Sequence, residues 1–195
     1  MEKNKIGHPI DLILIGGSAG SLKVVLKLLD KQRPGFSIPI LLVLHRDPQG
    51  STHLAKLFAN RTSMTVKEIE DKDPILDGHL YICPADYHVL VEADQTLSLD
   101  YSEKEHYSRP SIDVALCAAA DAYAGRLLCI LLSGANSDGA EGLSYAKQRN
   151  CLTIIQDPKD AQVSYMPEQA ILQSSADHVY DSDAIADFLN HLPEA

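Results

Sequence analysis

Three short segments of the chain contain polar residues whose types and spacing could support catalysis. Gly16-Gly17-Ser18-Ala19-Gly20 fits the pattern G-x-S-x-G, in which flanking glycines permit a sharp turn that exposes a serine hydroxyl. His45 follows the apolar run Ile40–Leu44, and Asp138 lies in the small-residue segment 133–142. A serine needs a base to take its proton, a neutral imidazole is such a base near pH 7, and a carboxylate fixes the tautomer of the imidazole. The three types together would supply a nucleophile, a general base and an orienting acid.

Each of these segments also has a purely structural interpretation. The glycine-rich turn is typical of an anion-binding loop with a passive serine, although it lacks the glycine pattern of a dinucleotide site and the Gly-Lys-Ser/Thr of a Walker A loop. His45 would merely end a strand. Asp138 with Glu141 three residues later resembles a capping box, which would make Asp138 the N-cap of its own helix. Taken one at a time, the segments leave both interpretations open.

The elements predicted around these residues place them on one edge of a sheet. Short apolar runs alternate with amphipathic stretches, which predicts a doubly wound, mostly parallel sheet in a three-layer α/β/α fold. The predicted strands are 11–15, 38–44, 65–69, 127–132, 152–156 and about 178–180, and the predicted helices are 21–29, 51–60, 111–123, 139–149, 167–173 and 183–192. Parallel strands end along one edge, so we expect Ser18, His45 and Asp138, separated by 27 and 93 positions, to meet there.

Residues 77–101 break this alternation. The short segments 78–82, 88–92 and 96–100 are separated by turn-forming residues and predict antiparallel hairpin strands inserted between the parallel units. The chain shows no repeat, low-complexity run or linker. We therefore expect residues 1–195 to form one domain.

Composition narrows the classes of partner. The chain has 195 residues, with 17 Lys and Arg against 27 Asp and Glu, a net charge of −10 and no basic cluster. Such a chain lacks the charge that attracts nucleic acid or anionic membranes, and no apolar run reaches the roughly 20 residues of a membrane span. No signal-peptide pattern opens the chain, and the cysteines at 83, 117, 129 and 151 lack the spacing of a zinc or redox motif. We expect free, mostly buried thiols in a reducing compartment, and neither nucleic-acid binding nor membrane insertion.

Seven ordered segments resemble the signature blocks of the CheB-type protein-glutamate methylesterase domain. They lie at 16–20, 44–45, 81–88, 108–113, 132–140, 156–158 and 166–167, so the resemblance runs from about residue 10 to 190. It implies a cytoplasmic hydrolase that removes methyl esters from glutamate side chains of chemotaxis receptors, releases methanol and deamidates certain glutamines. It also implies methylated cytoplasmic receptor helices as the substrate and no metal or organic cofactor.

The resemblance further implies roles for individual residues. Ser18 resembles the nucleophile, His45 the general base and Asp138 the orienting acid of the family. The backbone N–H of Ala19, together with a group near Ala135, would face the oxyanion.

A second set of residues shows where the chain follows and departs from the family. Arg109 and Ser111 match an Arg-Pro-Ser block beside the cleft and imply substrate positioning, although Ser111 is also a suitable N-cap for an ordinary helix. The family often has methionine and glycine where Ala135 and Asn136 stand here, and methionine commonly follows the histidine where Arg46 stands.

Regulated members carry an N-terminal receiver domain, whereas fewer than a dozen residues precede the first predicted strand here. We therefore expect activity that is either constitutive or controlled by a separate partner, such as a regulator or a methyltransferase.

Two other functions compete with the methylesterase. The first is a non-catalytic α/β regulatory module whose glycine-rich turn binds an anion or a nucleotide. The second is a general small-ester hydrolase of the α/β-hydrolase type, which would need His178 or His191 as its base. The α/β-hydrolase order is serine, acid, then histidine, with several strands before the serine, and here only one predicted strand precedes Ser18.

Overall fold

A computed structural model describes residues 9–46, 53–105 and 107–193. The strands are β1 (Leu12–Gly17), β2 (Ile40–Leu44), β3 (Thr65–Glu68), β4 (Asp73–Pro74), β5 (His79–Ile82), β6 (His88–Val91), β7 (Thr96–Asp100), β8 (Leu127–Leu131), β9 (Leu152–Gln156) and β10 (His178–Tyr180). The α-helices are α1 (Ser21–Asp30), α2 (Leu54–Ala59), α3 (Ile112–Tyr123), α4 (Ala140–Gln148), α5 (Tyr165–Gln173) and α6 (Ser182–Asn190).

A seven-stranded sheet in the order β10-β9-β8-β1-β2-β5-β3 forms the centre of the fold, and its neighbouring strands are parallel. Successive residues of a strand face opposite sides, so Leu12 and Leu14 join the apolar cluster that includes α3, α4 and α5, whereas Ile13 and Ile15 join the cluster that includes α1, α2 and α6. A central strand buried on both faces reads as a continuous apolar run. The prediction of a mostly parallel α/β fold is confirmed.

The prediction that residues 78–82 form an antiparallel hairpin strand is wrong. Residues 79–82 form β5, which pairs in parallel with both β2 and β3 in the main sheet. Leu80, Tyr81 and Ile82 are consecutive buried residues, which is the pattern of a strand covered on both faces. Strands β6 and β7 are antiparallel as predicted, and the two-residue β4, which the sequence did not predict, completes their three-stranded sheet.

The other boundaries lie within two residues of their predicted positions, apart from the start of the second helix. Residues 51–52 of the predicted helix 51–60 lie outside the described residues, and α2 begins at Leu54. Among the described residues, no helix is long and apolar enough to cross a membrane.

The four cysteines are free, and all except the half-buried Cys117 are buried. Burial raises the pKa of the Cys117 thiol to about 11, so this cysteine is a thiol rather than a thiolate near neutral pH.

The order of the strands creates a switch point at β1. The chain passes from β1 to β2 on one side and later enters β8 on the other side. Loops that follow β1 and β8 therefore diverge at the carboxyl edge of the sheet, where open α/β folds bind their ligands. Ser18 follows β1, His45 follows β2 and Asp138 lies in the loop after β8.

Candidate active site

The turn between β1 and α1 places Ser18 between the two neighbouring strand ends. The N–H of Ser18 donates to the carbonyl oxygen of Ser133 at 2.9 Å, and the N–H of His45 donates to the carbonyl oxygen of Gly17 at 3.1 Å. The hydroxyl of Ser21 donates to the carbonyl oxygen of Ser18 at 2.6 Å and fixes the start of α1. Ser18 is partly exposed at this carboxyl edge of the sheet.

The turn depends on Gly20, which has a φ of +85°. A Cβ at this position would lie 2.7 Å from both Gln162 Cβ and Ser133 Oγ. A larger residue at position 20 would therefore be strained by the left-handed backbone conformation and would also clash with these two side chains. The adjacent Ala19 is exposed, as is Ala135 in the loop after β8. Neither backbone N–H has an acceptor among the described residues, so both are available to a ligand.

His45 and Asp138 form a hydrogen-bonded pair at the carboxyl edge of the sheet. Nε2 of His45 lies 2.8 Å from Oδ2 of Asp138. The imidazole keeps 13% of its side chain exposed, whereas the carboxylate is completely buried. The arrangement places the acid inside the protein and the base at the surface.

The Asp138 carboxylate occupies the N-terminus of α3. It accepts the backbone N–H groups of Ile112 at 2.7 Å and Asp113 at 3.0 Å, and the hydroxyl of Ser111 at 2.9 Å. Burial by itself would raise the pKa of Asp138, but the hydrogen bonds from His45 and these N–H groups outweigh it and hold the pKa below its ordinary value. The acid is therefore an ionised acceptor near neutral pH.

The alternative prediction that Asp138 caps its own helix is wrong. Helix α4 begins after Gly139, which has a φ of +95° and offers no side-chain cap. Asp138 instead serves the first turn of α3, where the positive end of the helix and its unpaired N–H groups stabilise a carboxylate. Ser111 is the N-cap of α3 as predicted, because its hydroxyl accepts the N–H of Val114 at 3.3 Å.

These contacts assign the tautomer of His45. Because ionised Asp138 can only accept, Nε2 carries the hydrogen, and the lone pair is on Nδ1. Nδ1 lies 3.5 Å from Ser108 Oγ, which accepts from Nδ2 of Asn136 at 3.3 Å. No hydrogen bond joins the Ser18 hydroxyl to the ring among the residues that the structure describes. The lone pair of Nδ1 is therefore the basic site of this histidine.

A pocket of about 300 Å³ lies beside His45. Its described lining comprises His45, Arg46, Asp86, Lys104, Tyr107, Ser108, Arg109 and Pro110. The pocket adjoins the base and has room for an extended side chain.

Arg109 forms one wall of this pocket, where hydrogen bonds and a cation–π contact hold its guanidinium group. Its Nη2 donates to Asp86 Oδ1 at 2.8 Å, and its Nη1 donates to the carbonyl oxygen of Ser102 at 2.6 Å. The guanidinium carbon lies 3.7 Å from the centre of the Tyr101 ring. The hydrogen bond from Arg109 lowers the pKa of Asp86. Arg109 can therefore position a substrate by shaping the wall rather than as an unpaired cation.

The histidines required by an α/β-hydrolase lie elsewhere. His178 stacks on Tyr180 with 4.7 Å between the ring centres in β10, which is an edge strand of the sheet. His191 caps the C-terminal end of α6, where Nδ1 lies 2.6 Å from the carbonyl oxygen of Asp187. Neither residue contacts Ser18.

Sequence reasoning missed the roles of three residues around the acid and base: Ser108, which lies beside His45, Asn136, which donates to Ser108, and His88, which accepts the N–H of Ser111. A local signal existed for one of them. In a capping box, a Glu or Gln at the third helical position accepts the backbone N–H of the serine N-cap. Val114 stands at that position here, which indicates that the N–H of Ser111 needs a distant acceptor such as His88.

No group of three or more His, Cys, Asp or Glu side chains in the described parts of the chain has the geometry of a metal site.

Comparisons with known proteins point to one family. Residues 13–189 match the sequence model of the family described as CheB methylesterase. The chain is 35% identical to a provisionally named protein-glutamate methylesterase/protein-glutamine glutaminase of Leptospira interrogans, over 94% of this chain and 95% of that protein. It is 33% identical to protein-glutamate methylesterase/protein-glutamine glutaminase 2 of Methanospirillum hungatei, over 97% of this chain but 54% of that protein. The crystal structure of the Thermotoga maritima CheB methylesterase catalytic domain superposes with a TM-score of 0.89 at 28% identity, covering 95% of this chain and 100% of that one.

Proposed function

Because the chain belongs to the CheB methylesterase family, we propose that it hydrolyses methyl esters of glutamate side chains on chemotaxis receptors and deamidates certain receptor glutamines. The observation that carries this proposal is the buried Asp138 carboxylate holding His45, with Ser18 on the adjacent strand end. Simple anion binding requires no such acid and base pair.

The reaction follows the assigned protons. Ser18 Oγ turns toward Nδ1 of His45, gives up its proton to that nitrogen and attacks the ester carbonyl carbon. The C–O bond to the methoxy group then breaks, and methanol leaves with the proton from Nδ1. Water repeats the sequence on the acyl-serine, so that glutamate is released and Ser18 regains its hydrogen. Deamidation follows the same steps with ammonia as the leaving group.

Asp138 acts on this cycle by stabilising the imidazolium. Its carboxylate keeps Nε2 protonated throughout, so Nδ1 alone exchanges protons with serine, methanol and water. The N–H groups of Ala19 and Ala135 have no other acceptor among the described residues, and we assign them to the oxyanion that forms on the carbonyl.

The substrate side of the proposal uses the pocket beside His45. Three basic side chains, those of Arg46, Lys104 and Arg109, line this pocket on a chain of net charge −10. Arg46 is paired with Glu68 and Arg109 with Asp86, so Lys104 is the group that we expect to reduce the repulsion between two acidic proteins at short range. A methylated cytoplasmic receptor helix is the proposed partner, and the cytoplasm is the proposed location. Control by a separate regulator or methyltransferase and the absence of a cofactor stay predictions.

Methanol release from a methylated receptor tests the proposal. The wild type should release methanol, whereas Ser18→Ala should be slower by on the order of 10⁴-fold. Ser174→Ala is the matched control, because this hydroxyl donates to the carbonyl oxygen of Ala170 at the end of α5 and is remote from the site.

Two other outcomes would favour the competing functions. Binding of phosphate or a nucleotide by the wild type, without release of methanol, would favour the regulatory module. Turnover of p-nitrophenyl esters that depends on His178 or His191 would favour the small-ester hydrolase.

A further inference from the structure

His88, at the start of β6, is a buried histidine outside the proposed triad. It is 1% exposed. Its Nδ1 accepts the backbone N–H of Ser111 at 3.1 Å, and its Nε2 lies 2.9 Å from the carbonyl oxygen of Glu103. A backbone N–H only donates and a carbonyl oxygen only accepts, so His88 is neutral and carries its hydrogen on Nε2. The ring is thus held at both nitrogens.

The N–H that His88 accepts belongs to the cap of the helix that holds the acid. Ser111 is completely buried, so an unpaired N–H at this position would be costly. Within a capping box the side chain three residues later would accept it, but Val114 has no acceptor. His88 supplies the acceptor from 23 residues away in the chain.

The contacts continue from this cap to the base. Ser111 Oγ donates to Asp138 Oδ1 at 2.9 Å, and the next two N–H groups of the same helical turn donate to both carboxylate oxygens. Asp138 Oδ2 then accepts Nε2–H of His45 at 2.8 Å. His88 in β6, Ser111 at the start of α3, Asp138 in the loop after β8 and His45 after β2 therefore form one continuous hydrogen-bonded series across four separate parts of the fold.

We propose that His88 is a positioning residue for the esterase reaction, and that it acts by fixing the first turn of α3, which in turn orients Asp138 and the Nε2–H tautomer of His45. This inference rests on the proposed function. It gives the inserted antiparallel sheet a role in catalysis, because β6 carries His88 against the helix that holds the acid. His88 touches no reacting atom and does not line the pocket beside His45.

Two near-isosteric substitutions separate the two nitrogens of His88. In His88→Asn the amide oxygen occupies the place of Nδ1 and still accepts the N–H of Ser111. In His88→Gln the longer amide reaches Glu103 in place of Nε2 but leaves the N–H of Ser111 without an acceptor. We expect His88→Asn to retain kcat within a few-fold, and His88→Gln to lose roughly 10- to 100-fold in kcat, the usual range for outer partners of site residues. KM should change little in either variant, because the pocket is untouched.

The same change at His79 is the matched control. His79 lies at the amino end of β5, on the edge of the sheet opposite the site. Its Nδ1 lies 2.9 Å from the nearby carbonyl oxygen of Asp77, and its ring stacks on Tyr81 with 5.7 Å between the ring centres. His79→Gln should keep wild-type kcat and KM. All variants are assayed at a temperature at which thermal unfolding shows them to be fully folded.

Equal kcat values for His88→Asn and His88→Gln, whether both high or both low, would overturn the inference. Inactivity of the wild type itself would instead refute the proposed function. A readout independent of activity is the ¹⁵N–¹⁵N coupling across the hydrogen bond between the Ser111 N–H and His88 Nδ1 in the wild type. We expect this coupling to be present, and its absence would overturn the inference even if His88→Gln failed to fold.

Discussion

Nε2 of His45 lies 2.8 Å from Oδ2 of Asp138, although 93 residues separate the two in the chain. The sheet order explains this approach, because β2 and β8 flank β1 and all three strands end on the same edge. The carboxylate is fully buried and is held by the first turn of α3, so the acid cannot reorient without disturbing that helix. The relationship fixes which ring nitrogen is basic.

Replacing the acid by its amide tests this relationship. In Asp138→Asn an NH₂ group must replace either Oδ2, where it faces His45 and the N–H of Ile112, or Oδ1, where it faces the hydroxyl of Ser111 and the N–H of Asp113, and all of these groups are donors. We expect kcat for methanol release to fall by on the order of 10⁴-fold, because His45 loses the partner that keeps its hydrogen on Nε2. We also expect a loss of about 1–3 kcal/mol in the free energy of unfolding, measured in urea. The exposed Asp187→Asn is the control, and an Asp138→Asn enzyme within ten-fold of the wild type would refute the assignment.

The lowered pKa of Asp138 predicts how this stabilisation depends on pH. Its folded pKa lies below the ordinary value of 3.8, so the stabilisation is complete above that value and is lost as the pH falls through the folded pKa. The difference in unfolding free energy between wild type and Asp138→Asn should therefore still be present at about pH 5 and should shrink as the pH falls below about 4. Urea unfolding of both proteins across this range measures it. A difference that is already lost at about pH 5 would contradict the direction of the shift.

Arg109 should act through Asp86 and the pocket wall. Arg109→Ala removes the ion-pair partner of the Asp86 carboxylate in the pocket and takes the guanidinium from the Tyr101 ring. We expect kcat/KM to fall by roughly 3- to 10-fold, mainly through KM, since partly exposed ion pairs contribute modestly. Removing Asp86 as well should restore part of the loss. Additive losses in the Arg109→Ala, Asp86→Ala double-mutant cycle would show that the two side chains act independently.

Gly20 tests the geometry of the turn that carries Ser18. Gly20→Ala forces a non-glycine residue to a φ of +85° and brings its Cβ to 2.7 Å from Gln162 and Ser133. Gly35→Ala is a matched control, because Gly35 has a φ of +77° but no atom within 4 Å of an added Cβ. Both variants should lose about 1–2 kcal/mol to backbone strain. Only Gly20→Ala should also lose kcat, and equal kcat values in the two variants would contradict a role for this turn in catalysis.

The sequence predicted that Ser18, His45 and Asp138 lie at the carboxyl edge of the sheet, because this prediction depends only on local patterns. Apolar runs followed by Ser18, His45 and the loop of Asp138 identify three strand ends, and the parallel rule then brings them together. Hydrogen-bond partners that only the tertiary fold brings together could not be predicted in this way. The sequence placed Asp138 at either the site or its own helix, whereas the carboxylate serves both His45 and α3, because α3 begins beside the loop after β8.

The error at β5 has a similar origin. A four-residue apolar strand between turns has no local mark of parallel or antiparallel pairing, and its place between β2 and β3 depends on strands distant in the chain. The engagement of Arg109 by Asp86 and the contact of His88 with Ser111 likewise join residues 23 positions apart. Spacing alone carries no signal for such contacts.

The most direct measurement of the central claim is methanol release from a methylated receptor by Ser18→Ala, His45→Ala, Asp138→Ala and the triple variant. Residues that act as one unit lose their effect together, so we expect Ser18→Ala, His45→Ala and the triple variant to fall to the same low rate, on the order of 10⁴-fold or more below the wild type. A Ser18→Ala enzyme with undiminished turnover, or a triple variant whose loss is the product of the three single losses, would contradict the account.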